Sequence, residues 1–178
     1  VETAWKLGVS VKLLQVKYDK KNEIFFIDTS KGRINVTSSK NALNGYQKSK
    51  CFFCFDYISI IKRSLNLCNV DHFFPDTLKN KNFPGYVDGI WNLVLACKDC
   101  NRGEGGKFAK VPSLKFLERL NRRNEYFCSS HHPLRETIMS QTGQTKDQRT
   151  KFLQKCYNSA KSKLIHNWDV EPKGTSIF

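Results

Sequence analysis

No apolar run in the 178 residues approaches the roughly 20 that a helix needs to cross a bilayer, and no segment has the layout of a signal peptide. A membrane role is therefore not expected, and the cytoplasm is the expected compartment. Acidic residues are scarce: 16 Asp and Glu face 30 Lys and Arg, for a formal net charge of +14. Such an excess is of little use to a chain without partners, and it is what a polyanion-binding surface requires, which points to nucleic acid. There is no internal repeat, no low-complexity tract and no long Pro/Gly/Ser linker, so solenoids and strings of domains are excluded. The length suits one compact domain, or a small catalytic module carrying a helical extension. The chain begins with Val1 and already reads as folded sequence there, as expected of a processed product or a piece of a larger protein.

The cysteines are seven, an odd number, and four of them form two C-x-x-C pairs, Cys51/Cys54 and Cys97/Cys100. In a reducing compartment such pairs read as thiolate metal ligands rather than disulfides. Four sulfurs at about 2.3 Å complete a closed tetrahedral zinc site with no open position, so the expected ion is structural. It would pin the segment before Asp71 to the segment after Asn92. A redox dithiol is the competing reading of either pair, and the flanking of one short segment by both pairs favours metal. Cys68, Cys128 and Cys156 lie in apolar or helical contexts and are expected in the core.

Between the pairs lie N-V-D-H-F-F-P and W-N-L-V-L-A. Adjacent strand residues face opposite sides, so Asp71 can turn toward a cation while His72 turns toward a water beside a scissile phosphate. Asn101 directly follows the last cysteine, whose knuckle fixes its direction. A soft-ligand set beside a hard-ligand set and a base points to metal-dependent phosphodiester cleavage.

V-D-H followed by W-N-L-V-L-A-C-K-D-C-N, with C-F-F-C upstream, resembles the HNH endonuclease family and its ββα-metal fold over about Cys51 to Lys107. The letters H, N and H or N fall on His72, Asn92 and Asn101, the last an asparagine as in the HNH domain of RNA-guided CRISPR nucleases. The resemblance implies that His72 is the general base, that Asp71 and Asn101 hold a catalytic Mg²⁺ or Mn²⁺, and that Asn92 braces the loop. These roles suit the chemistry of the side chains, since imidazole accepts a proton near neutral pH and hard oxygen ligands suit such ions. The chain departs from the family after Asn101, where R-G-E-G-G-K postpones the lysine often found sooner. Arg102 and Lys107 are expected phosphate contacts on this glycine-rich stretch, with Arg122, Arg123 and Lys151 as a further track. The segments around L-E-R-L-N-R-R-N-E-Y-F and S-S-K-N-A-L-N-G-Y-Q-K resemble, more loosely, HNH proteins of prokaryotic restriction and antiphage defence.

The expected fold is α+β. A small N-terminal β-sheet occupies 1–38, with strands over Val9–Tyr18 and Glu23–Ile27 and a third from Arg33 to Thr37. The zinc-stapled ββα core occupies 39–110, entered by a helix capped at Thr37–Ser39 and reaching Gln47. A helical extension occupies 111–178. In that extension Ser113 caps a helix with Leu114, Leu117 and Leu120 on one face, and Pro133 and Gly143 bracket the next. Thr145 with Gln148 opens the last, whose apolar face runs from Phe152 to Leu164. His131 and His132 read as helix-start caps and His166 as structural. The expected function is an HNH endonuclease hydrolysing DNA, with RNA left open, as the nuclease component of a defence system and fused to or complexed with a sensor or motor subunit. The alternative is an inactive zinc-stapled nucleic-acid-binding module.

Overall fold

The structure, a computed structural model, describes residues 15–19, 24–28 and 39–178, the first two as backbone strands. The chain divides into two compact units, Val1–Ser39 and Lys40–Phe178. In the first, β1 (Gln15–Asp19) pairs antiparallel with β2 (Ile24–Asp28), Gln15 opposite Asp28 and Asp19 opposite Ile24. The remainder of the long strand expected from Val9, and the strand expected at Arg33–Thr37, lie outside the described residues.

The second unit opens with α1 (Lys40–Gln47) and carries an antiparallel hairpin of β3 (Asn69–His72) and β4 (Leu93–Ala96), followed by the short helix α2 (Lys98–Arg102). Every residue of β4 is buried, as its apolar sequence L-V-L-A demands. A two-stranded ladder leaves unpaired backbone groups at its edges, and buried ones cost about 1–3 kcal/mol each. Gln47 meets this cost at β4: its fully buried amide donates to Leu95 O at 2.8 Å and accepts from Leu95 N at 2.9 Å. Phe52 N donates to the same carbonyl at 2.9 Å, bringing the first cysteine knuckle onto the strand.

Three helices complete the unit: α3 (Leu114–Ser129), α4 (Arg135–Thr142) and α5 (Lys146–Lys163). The short strands β5 (Val111–Pro112) and β6 (Asn167–Trp168) pair in parallel beside them. The helical residues 111–178 thus share one unit with the ββα segment. The capping box at α5 is complete, Gln148 N donating to Thr145 Oγ1 and Thr145 N to Gln148 Oε1. The face of α3 differs from expectation: Leu114 is 60% exposed, while Phe116, Leu120, Phe127 and Cys128 are buried. Phe116 stacks with Trp168 at 5.7 Å and meets Phe53 edge-on at 5.3 Å, and the larger aromatic area decides which stripe turns inward.

Arg123, an expected phosphate contact, is fully buried on that same face. Its guanidinium donates to the carbonyls of Leu93, Trp91 (2.8 Å) and Ile90 (3.4 Å) and to Asn124 Oδ1 (2.8 Å), joining α3 to the approach to β4. Burial pulls it down to about 9. It cannot reach a phosphate without leaving these carbonyls, so its role is to hold the hairpin against the helices.

Candidate active site and metal centre

Cys51, Cys54, Cys97 and Cys100 place their sulfurs within 4.8 Å of one another, and all four are free thiols. Cys54 Sγ and Cys97 Sγ stand 3.8 Å apart, far beyond a disulfide. Sulfurs at about 2.3 Å from a shared ion lie about 3.8 Å apart on the edges of a tetrahedron, so the group fits zinc. Cys97 N–H points to Cys51 Sγ (3.3 Å) and Cys100 N–H to Cys97 Sγ (3.4 Å), the donors that steady thiolates. Contact with Cys51 pushes the Cys100 thiol up, whereas contact with Cys100 pulls Cys97 down. Four thiolates within 4.8 Å of one another repel, so all four shed their protons only with a cation among them.

Two further elements support the knuckles. Arg119 of α3 donates to the carbonyls of Phe52 and Phe53 and lies 4.1 Å from the Phe55 ring centroid, a cation beside a site whose filled form carries excess negative charge. The C-terminal segment crosses the first knuckle, Lys173 N–H donating to Cys54 O at 2.7 Å and Gly174 N–H at 3.1 Å. A Cβ at Gly174 would lie 2.2 Å from Phe55 O, so only glycine permits this approach.

Between the knuckles, β3 ends on the two residues expected to do chemistry. Asp71 lies opposite Val94 and His72 opposite Leu93. His72 Nε2 is 2.8 Å from Asp88 Oδ1, and the side chain keeps 20% of its surface exposed. Asp88 in turn takes Lys79 Nζ at 2.8 Å, and Lys79 also pairs with Asp76. With Nε2 held by a carboxylate, its proton resides there and Nδ1 is left as the acceptor. Sequence reasoning missed Asp76, Lys79 and Asp88; the only signal they offered was charge in the loop following the histidine.

Asn92 is fully buried and stitches that loop together. Its Nδ2 donates to Phe74 O (3.0 Å) and Val87 O (2.8 Å), and its Oδ1 accepts from Phe74 N (2.8 Å). With no exposed surface it positions the loop and touches no substrate.

Lys107 departs most from expectation. It is 0% exposed, its ammonium donating to His72 O (2.9 Å) and Phe108 O (3.1 Å) and lying 3.2 Å from Asp71 Oδ2. It is therefore the counter-ion of Asp71 and not a surface phosphate contact. Burial pushes the Asp71 carboxyl up and pulls the Lys107 ammonium down, each opposed by the other's charge. Replacing Lys107 by methionine leaves a buried carboxylate unpaired and is expected to cost roughly 3–5 kcal/mol, read as a lowered thermal midpoint.

Asp71 Oδ2 is buried with the Lys107 ammonium as its neighbour. Asn101, on α2, is fixed by backbone bonds from its N–H to Cys97 O (3.1 Å) and to its carbonyl from Phe108 N (3.1 Å), while its side-chain amide bonds no described residue. The Asp71 carboxylate, already paired with Lys107, and the Asn101 amide, on α2 packed against β3, are oxygen donors of the kind a hard divalent cation takes. Arg102 and Arg122 are exposed, as phosphate contacts must be, and so is Lys151, which pairs with Asp147. His132 Nδ1 accepts from Leu134 N at 3.1 Å, a local cap. No helix among the described residues is long and apolar enough to cross a membrane. Compared with protein-family models, curated proteins and solved structures, the chain matches none.

Proposed function

We propose that the chain is a metal-dependent endonuclease of the HNH type that hydrolyses DNA phosphodiesters in the cytoplasm, as the nuclease component of a prokaryotic restriction or antiphage system. The observation that carries it is His72, part-exposed at the end of β3 and held through Nε2 by Asp88. Nδ1 takes the proton of an attacking water while Nε2–H stays on the Asp88 carboxylate, which stabilises the imidazolium as it forms. The water oxygen bonds phosphorus, the opposite P–O bond breaks, and the leaving oxygen collects a proton from solvent. A Mg²⁺ or Mn²⁺ held by Asp71 and Asn101 would stabilise charge on the phosphoryl and leaving oxygens. Asn92 keeps the loop from Phe74 to Val87 in place, and Arg102 and Arg122 bind flanking phosphates within a net charge of +14.

One observation favours a second reading, that of a non-cleaving zinc-stapled binding module: Lys107 already neutralises Asp71. Supercoiled plasmid separates the two. With Mg²⁺ or Mn²⁺ the nuclease converts it to nicked or linear forms and EDTA stops the conversion, whereas the binding module retards the plasmid on a gel and leaves it supercoiled.

A further inference from the structure

A ring nitrogen of His72 and carboxylate oxygens of Asp76 and Asp88 all lie within 4.8 Å of one another, with Nε2 2.8 Å from Asp88 Oδ1, a second set of metal donors separate from the cysteines and from the Asp71 and Asn101 pair. We propose that these three side chains bind a second Zn²⁺-class ion, and that this ion switches the site off. The inhibitory consequence rests on the nuclease reading, while the binding does not. One imidazole and two carboxylates are the ligand chemistry of open zinc sites, at about 2.0–2.2 Å, with solvent in the fourth position. Mg²⁺ is a poor competitor here because it is a hard ion that binds oxygen in an octahedral shell and gains little from a ring nitrogen.

Lys79 Nζ sits against both carboxylates, 2.8 Å from Asp88 Oδ1, so these ligands already hold one cationic group, which an incoming ion would displace. Asp88 is 11% exposed and Asp76 60% exposed, giving one anchored ligand and one that can close from solvent. The inhibition follows from proton bookkeeping on the ring. A neutral imidazole carries one N–H; when the Nε2 lone pair goes to a metal, that proton resides on Nδ1. The nitrogen that would accept a proton from water is then occupied, and the base is lost. Cleavage should therefore need one zinc per chain, at the cysteines, and fail at two.

Protein carrying one zinc per chain, titrated calorimetrically with ZnCl₂, is expected to bind one more. Asp76→Asn and Asp88→Asn should each weaken that event by at least about tenfold. Lys79→Met, which removes the competing ammonium, should tighten it roughly threefold to tenfold. Asp71→Asn should leave it unchanged. In cleavage assays with Mg²⁺, added zinc should inhibit the wild type and spare Asp76→Asn. The proposal is overturned if no second zinc binds, if Asp76→Asn and Asp88→Asn bind it as tightly as the wild type, or if Asp71→Asn abolishes it. Because Asp76 is exposed, its variant keeps the test valid should Asp88→Asn misfold. A second zinc on a protein that cuts no DNA upholds the site and refutes the nuclease reading.

Discussion

Cys97→Ser is expected to yield protein that aggregates, or that elutes without zinc and shows no cooperative thermal transition. Cys97 is the least buried of its four thiols, so a serine of nearly the same shape leaves no cavity. What it removes is one thiolate of the set. Structural zinc sites contribute on the order of 10–16 kcal/mol, and a domain of this size has only about 5–15 kcal/mol of net stability. The loss therefore lies within reach of the whole margin. The knuckles also hold in register the β4 edge at Leu95, the carbonyls taken by Arg119 and the C-terminal crossing at Cys54, and these would be released together. Cys68→Ala, Cys128→Ala and Cys156→Ala provide the contrast: each removes a buried sulfur with no metal partner and should lower the thermal midpoint without abolishing the transition. A soluble Cys97→Ser protein that melts like wild type would refute the zinc site.

His72→Ala is expected to reduce cleavage by roughly 10²–10⁴-fold, the range supplied by a positioned general base. The change should spare the fold, because the side chain is part-exposed at a strand end and its partner Asp88 keeps Lys79. Asp88→Asn should fall between, since an amide can still meet the ring but offers no charge to the imidazolium.

The parts of this site that were legible from sequence are those whose signal is local. C-x-x-C spacing brings two sulfurs to one turn whatever surrounds them, and the four cysteines do cluster. Thr145 and Gln148 sit three residues apart and form their capping box within one turn. Charged side chains whose partners come from distant segments were not legible. Arg123 and Lys107 look like surface cations in sequence, yet Arg123 is sequestered by carbonyls 30 to 33 positions away and Lys107 by the His72 carbonyl 35 positions away. Nothing in their neighbours announces such acceptors. Asp88 pairs with His72 across 16 residues of irregular loop, where no periodicity links the two. The terminal E-P-K-G-T-S-I-F carries no periodicity; its attachment depends on Gly174 meeting the Phe55 carbonyl and on Phe178 packing against Tyr46 at 5.2 Å and Phe55 at 5.0 Å.

Hydrolysis of a short labelled DNA duplex under single-turnover conditions, by wild type and His72→Ala protein each carrying one zinc per chain, isolates the chemical step assigned to His72. The wild type is expected to cleave in a Mg²⁺- or Mn²⁺-dependent way and the variant to lose at least about a hundredfold, at equal zinc content and equal thermal midpoint. Equal cleavage by both proteins, or none by either, would contradict that assignment.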